Sequence, residues 1–338
     1  MTHEFKHLVH VAHTHIEKGG EVVMATVVAL EGSSYRRPGV RMLLLDDGQM
    51  VGAVSGGCVE KEIQRQAESV FKNKRTKMMT YDGRYRLGCE GIIYILIEPF
   101  ITSAEMCKQL ENHFTHRRSF SIVSYFDKAI GEFEDMGSQL ELEQGKFSFS
   151  GIPVISPVSA KETFRQEMPP CFKLFIFGAE HDAVTLCKMA SSLGWEVTII
   201  ASPDESKTID FFPGATHFLT PLPEEIPMSG IDQESAIVLM SHSFSKDLKA
   251  LISFQNAKPA YFGLLGPKKR RERLFNDFME LYPDARIDFL EEMHGPAGLN
   301  IGAESAEEIA ISIISEILSC IRKQTPMALR DKAGRIHA

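Results

Sequence analysis

The chain has 338 residues, 43% of them hydrophobic and 24% charged, with a formal net charge of −8. This length can bury two ordinary cores, and the acidic balance argues against general affinity for nucleic acid. No apolar run approaches the ~20 residues a membrane span needs, and residues 1–7 lack the basic-then-apolar order of a signal peptide, which together predict a cytoplasmic protein.

Residues 3–18 read as an amphipathic helix with Phe5, Leu8, Val9, Ala12 and Ile16 on one face. His3, His7 and His10 share another face. Without an acidic or cysteine companion they read as a solvated polar surface rather than a metal site. The β-branched runs 21–30 and 40–45 are predicted strands, buried by their composition. Between them Gly32, Ser33, Ser34 and Gly39 make a donor-rich loop, and Arg36, Arg37 and Arg41 supply planar guanidinium forks suited to phosphate or carboxylate. A surface hairpin with solvated charges fits that loop as well.

A hairpin at 46–49 leads to a second such segment. Gly52, Ala53 and Val54 read as a strand end, and Ser55, Gly56 and Gly57 permit a tight turn with positive φ. Helix formers run from Val59 to Phe71, so Cys58 is expected at or next to a helix N-terminus. Unpaired N–H groups and the positive end of the helix dipole favour an anion there, whether a bound phosphate or the thiolate of Cys58. Such a thiolate is a nucleophile or a soft metal ligand. The alternative reading of Cys58 is a small buried hydrophobe, although a diglycine turn presents a side chain better than it hides one.

Strands are expected at 76–81 and 91–98, flanking Arg86-Leu-Gly-Cys-Glu-Gly91. Glu90 disfavours the Cys89 thiolate, which makes Cys89 the weaker thiol candidate. Residues 103–116 look helical, and 119–148 read as a meander of short strands. Prolines 153, 157, 169 and 170 mark a linker, placed at 156–171 between a first domain at 1–155 and a second at 172–325, with a polar tail at 326–338. The six cysteines contain no Cys-x-x-Cys and fit neither a disulfide framework nor a zinc or iron–sulfur cluster. Cys107, Cys187 and Cys320 fall in helical patterns and read as core.

The second domain opens on an apolar strand, a glycine turn at Gly178, a helix over 183–193 and a strand over 195–200. This is the start of a dinucleotide-binding fold. Further strands at 236–240 and 260–264 alternate with helices at 246–254 and 268–281, and a last helix is expected over 306–321. The predicted fold class is therefore α/β, a mixed N-terminal domain followed by a Rossmann-like doubly wound parallel sheet. The fingerprint is damaged, however: Glu180 stands where a second glycine lets backbone approach pyrophosphate, and no acid follows Ile200 to hold a ribose. NAD(P) is accordingly not expected. His181, His242 and His294 are expected on the rim formed by the carboxyl ends of the strands.

Gly32-Ser-Ser-Tyr-Arg-Arg-Pro-Gly-Val-Arg-Met42, Ser55-Gly-Gly-Cys-Val-Glu60, Leu87-Gly-Cys-Glu-Gly91, Phe177-Gly-Ala-Glu-His-Asp-Ala183, Ala260-Tyr-Phe-Gly-Leu-Leu-Gly266 and Gly298–Ile313 occur in one order along the chain. In these motifs the sequence resembles the XdhC/CoxI family, accessory proteins of xanthine dehydrogenase and related molybdenum hydroxylases. The resemblance implies a cofactor chaperone rather than an enzyme, one that binds molybdenum cofactor transiently and passes it to an apo xanthine dehydrogenase-type hydroxylase. It further implies a cysteine desulfurase as a second partner and a homo-oligomer, with Cys58 near the cofactor's metal or sulfur and the Gly32–Arg41 loop around its phosphate. The chain departs from the family pattern at Glu90 and Glu180, where glycine is common, and near Ala201, where an acid is common. An NAD(P)-dependent oxidoreductase built on the second domain is the alternative reading. The hydroxylase itself is excluded, since it needs cluster-forming cysteines and a large molybdenum domain.

Overall fold

The computed structural model describes residues 2–32, 37–55, 57–83, 91–152 and 162–333, and the chain divides into two compact units, Met1–Pro170 and Cys171–Ala338. The first unit contains α1 (Thr2–Glu17), β1 (Val22–Glu31), β2 (Arg41–Leu45), β3 (Met50–Gly52), α2 (Cys58–Asn73), β4 (Thr76–Asp82), β5 (Ile92–Pro99) and α3 (Ala104–Thr115). It continues with β6 (Phe120–Phe126), β7 (Gly131–Phe133), β8 (Gly137–Leu142), β9 (Gly145–Ser148) and β10 (Glu162–Met168).

An antiparallel sheet in the order β3-β2-β1-β5-β4-β7 forms the centre of this unit. Its inner strands β2, β1 and β5 are largely apolar on both faces because both faces are covered. Val23, Ala25 and Val27 of β1 pack with Val59, Ile63, Ala67 and Val70 of α2. On the opposite face Val22 and Met24 pack with Phe5 and Leu8 of α1, Leu110 of α3, and Phe120 and Leu140 of a second antiparallel sheet, β10-β6-β8-β9. The predicted meander is thus divided between two sheets. The predicted linker is corrected too, since residues 162–168 pair with β6 along its whole length. Proline is confined to the flanks of β10, at 157, 169 and 170, and leaves its N–H ladder intact.

Buried polar groups lie on the α1 side of the central sheet. Glu98 of β5 is fully buried and accepts hydrogen bonds from the Ser138 N–H (2.7 Å) and Oγ (2.6 Å), and Ser138 Oγ also meets Ser124 Oγ at 2.7 Å. Burial pushes Glu98 up to about 7, against the lowering effect of the Ser138 hydrogen bonds and the charge of Arg41. The same cause, only partly offset by Glu98, pushes Arg41 down to about 10. Desolvation therefore outweighs attraction at both ends of the pair.

The second unit contains β11 (Lys173–Phe177), α4 (His181–Ser192), β12 (Glu196–Ile200), β13 (Ala215–Leu219), β14 (Ser235–Leu239), α5 (Phe244–Phe254), β15 (Tyr261–Leu264), α6 (Lys268–Leu281), α7 (Asp288–Glu291) and α8 (Ala306–Arg322). The five strands are parallel, in the order β13-β12-β11-β14-β15. Leu174, Ile176 and Val238 face α4 and α8, while Phe175, Ile237 and Leu239 face α5 and α6. This is the Rossmann-like doubly wound arrangement expected from the alternation of strands and helices. Strand β13, short and half exposed, had no clear apolar signature. Among the described residues no helix is long and apolar enough to cross a membrane.

With an ordinary carboxyl value of 4.5, Glu98 is ionised in the unfolded chain between about pH 4.5 and 7 while still protonated in the folded one. The folded state holds the extra proton, so its stability falls as pH rises through that window. Glu98→Gln is expected to gain on the order of 3 kcal/mol relative to wild type between pH 4.5 and 8, measured as the difference in denaturant unfolding. A difference independent of pH would contradict the assignment.

Candidate functional site

Strand register brings three connections of the central sheet to one end. Glu31 at the end of β1 lies opposite Ile92 at the start of β5, and Ile92 lies opposite Asp82 at the end of β4. Gly52, the last residue of β3, faces Met42, next to the first residue of β2. Connections 32–40, 53–57 and 83–91 therefore leave the sheet together, and the Gly83 N–H donates to the Gly91 carbonyl (3.0 Å) at the base of the third. These are the three segments that carry the glycine, arginine and thiol candidates. Gly32, Arg37 and Gly57 are exposed and Ser55 is half-buried. Ser33, Ser34, Arg36, Gly56 and Cys89 lie outside the described residues, as does the side chain of Cys58, whose backbone opens α2.

Two features correct the sequence reading. First, the Ser55 and Gly57 N–H groups are not free for an external anion. Glu60, in the first turn of α2, folds back so that its carboxylate accepts from the Ser55 N–H (2.5 Å) and the Gly57 N–H (2.6 Å). This is the carboxylate half of a capping box; Gly57 has no side chain to return the bond, and its φ of 115° is open only to glycine. Glu60 is buried, so its charge sits close to the start of the helix and competes with any anion for the dipole.

Second, Arg41 does not belong with Arg37. Its side chain turns inward, donates from Nη1 to the Gly39 carbonyl (3.0 Å) and to Gln166 Oε1 (2.5 Å) of β10, and lies over the Phe5 ring at 5.7 Å. As the first residue of β2 it shares the inner face with Leu43 and Leu45, where alternation along a strand directs it. Arg41 braces the base of the arginine loop. Gly39, with φ 97° and Gln166 where a Cβ would sit, completes that contact.

In the second unit Gly178 follows β11 at the point where strand order reverses. Its φ is 133°, and an added Cβ would lie 2.6 Å from the Met240 carbonyl oxygen, so the glycine is required by the crossing of two backbones. Glu180 caps α4 in sequence but makes no side-chain capping bond; its carboxylate lies 3.9 Å from Lys207 Nζ. His181 is exposed at the first position of α4, and His242, at φ 54°, approaches Asp182 at 3.5 Å. These two histidines lie at the carboxyl ends of the strands as expected.

His294 does not. Its backbone bridges to Gly263 beside β15, and its ring stacks on Tyr261 with centroids 4.5 Å apart, on the sheet face covered by α8. The glycine at 263 lets the Tyr261 ring lie flat over the strand. Nδ1 of His294 meets Glu316 Oε1 at 3.1 Å, and Nε2 meets Cys320 Sγ at 3.8 Å. Cys320 thus packs, half-buried, against the core as its helical pattern suggests, and stands beside an imidazole as well. The i, i+4 spacing of Glu316 and Cys320 was the only hint in the sequence.

A doubly wound sheet and an antiparallel unit with three loops at one end define a two-domain α/β protein of Rossmann type. Residues 174–317 match the sequence model of the XdhC Rossmann domain, and residues 15–82 match that of the XdhC and CoxI family. The chain belongs to the XdhC and CoxI family. It is 27% identical over 326 residues to a probable xanthine dehydrogenase subunit of Bacillus subtilis (strain 168), covering 90% of this chain and 94% of that protein. It is 24% identical over 306 residues to the molybdenum cofactor insertion chaperone PaoD of Escherichia coli (strain K12), covering 89% and 84%. A crystal structure described as a xanthine dehydrogenase from Bacillus halodurans matches with a TM-score of 0.76 and 26% identity, covering 94% of this chain and 96% of that one.

Glu60→Gln keeps an acceptor for the turn while removing the charge. Alkylation of Cys58 by iodoacetamide at neutral pH is then expected to accelerate by about threefold to tenfold, since the helix dipole no longer faces a competing carboxylate. An unchanged rate would show that Glu60 and the thiol do not interact.

Proposed function

We propose that this protein binds molybdenum cofactor as cargo and delivers it to an apo xanthine dehydrogenase-type hydroxylase. The observation that supports this reading most is the convergence of connections 32–40, 53–57 and 83–91 at one end of one sheet. Together they bring a soft sulfur candidate, Cys58, into the same region as the arginine loop. The name of the Escherichia coli relative, a molybdenum cofactor insertion chaperone, points the same way.

In this proposal the cargo's phosphate is gripped by Arg36 and Arg37 with the glycine and serine N–H groups of residues 32–34, because planar donor forks suit phosphate oxygens. Cys58 lies at the metal–sulfur end, where a thiolate suits a soft metal. Glu60 holds the turn of 55–57 in shape without cargo, so the cradle need not order itself on binding. Arg41 acts from beneath by fixing Gly39. A cytoplasmic location, a homo-oligomeric state and a cysteine desulfurase as sulfur donor belong to the same proposal.

The second domain has a different role, as a docking or dimerisation platform. Glu180 and Asp182 put negative charge at the start of α4, where a dinucleotide fold receives pyrophosphate. Titration with NADH is expected to leave its fluorescence unchanged; saturable enhancement would favour the oxidoreductase reading.

The direct test is purification from cells that make molybdenum cofactor. Wild type is expected to retain it, with Cys58→Ala and Arg37→Ala each retaining several-fold less as measured by molybdenum content and pterin fluorescence. Equal retention by wild type and Cys58→Ala would remove the thiol from the site.

A further inference from the structure

The group formed by Cys320, His294, Glu316 and Tyr261 in the second unit has no part in cofactor delivery as proposed above, yet its order is that of an activated nucleophile. Glu316 accepts from Tyr261 Oη at 2.6 Å and from the Gly298 N–H at 2.7 Å. Burial works upward on its carboxyl, but the hydrogen bonds from His294, Tyr261 and Gly298 outweigh it and hold Glu316 below the usual range. Glu316 is therefore a carboxylate and can only accept. In the neutral imidazole the proton between it and His294 sits on Nδ1, and that tautomer has its Nε2 lone pair facing Cys320 Sγ, 3.8 Å away.

The thiol needs such a partner. Burial raises Cys320, the Glu316 charge adds to the effect, and a hydrogen bond with Ser319 opposes it. The sulfur rests as S–H and becomes nucleophilic only when its proton is taken. His294 is also accessible: its side chain is 33% exposed and borders a cavity of about 360 Å³ lined in part by Lys258, Phe262, Arg286 and Phe289. A small molecule has room beside the imidazole.

We propose that Cys320, His294 and Glu316 form a thiol-exchange centre whose substrate is a low-molecular-weight disulfide. His294 Nε2 takes the Sγ proton, and the sulfur attacks one atom of the R–S–S–R bond. That bond breaks, and its electron pair leaves on R–S⁻, which takes the proton from His294 and departs as R–SH. Cys320 is left as a mixed disulfide, its sulfur oxidised while the departing thiol is reduced. His294 is the base, and Glu316 is a positioning residue that fixes the tautomer.

The test uses the full chain and glutathione disulfide, with acid quenching and peptide mass spectrometry to follow each cysteine. Cys107 serves as an internal reference, being half-buried and likewise raised by burial, but bonded to Thr102 instead of an imidazole. Cys320 is expected to form the mixed disulfide at least about tenfold faster than Cys107, and His294→Gln to slow Cys320 by about 100-fold, the lower end of what a positioned base contributes. Glu316→Gln is expected to slow Cys320 while leaving Cys107 unchanged. The direction of change separates catalysis from packing, because a variant that merely uncovers the sulfur would speed its reaction. Cys320 reacting no faster than Cys107 in wild type overturns the proposal without any variant, and so does a rate maintained or raised in a folded His294→Gln.

Discussion

Burial of β1 and β5 on both faces is the constraint from which the first unit follows. Val23, Ala25 and Val27 need α2, and Val22 and Met24 need α1 and the second sheet. A one-residue slip in either strand would exchange the two sets of side chains, so the register is strongly specified. Register in turn decides where the connections emerge. The three loops share one end of the sheet because Glu31, Ile92 and Asp82 lie in one row and Gly52 lies beside Met42. Packing in the core thus fixes the location of chemistry at the rim.

The site is also shaped by polar groups that point inward. Arg41 and Glu98 are both shifted against their charged forms by burial, which marks the interior between the sheets as a costly place for charge. What Arg41 gives in return is position, through the Gly39 carbonyl and Gln166. Glu60 plays the corresponding part at the second loop by occupying the Ser55 and Gly57 N–H groups. Both loops are held by the protein's own side chains, one by a cation and the other by an anion.

Most of the architecture was legible in the sequence because the signals were periodic and long. The apolar runs of β1 and β5 and the amphipathic pattern of α2 and α8 each had a physical cause visible in local order. Strand β10 was missed because its apolar content is low: only Phe164 and Met168 interrupt a polar sequence, and its partner β6 lies far away in the chain. The direction of Arg41 is not legible locally because it is the first residue of β2 rather than the last of the loop, a boundary that the run of arginines obscures. Glu60 is legible in principle, three residues after the N-cap, but a glutamate there is equally an ordinary helix former. The proximity of His294 to Glu316 and Cys320 depends on a strip of chain returning along β15, which no local pattern reveals.

That strip has one more effect. The Leu264 N–H donates to the His294 carbonyl, the His294 N–H to the Phe262 carbonyl and the Ala297 N–H to the Leu264 carbonyl, so part of the outer edge of β15 is occupied by the protein itself. An incoming strand from another molecule finds the Leu264 N–H and the Phe262 and Leu264 carbonyls already engaged, so sheet extension, the usual hazard of an open margin, is opposed there by the same residues that place the imidazole beside its sulfur.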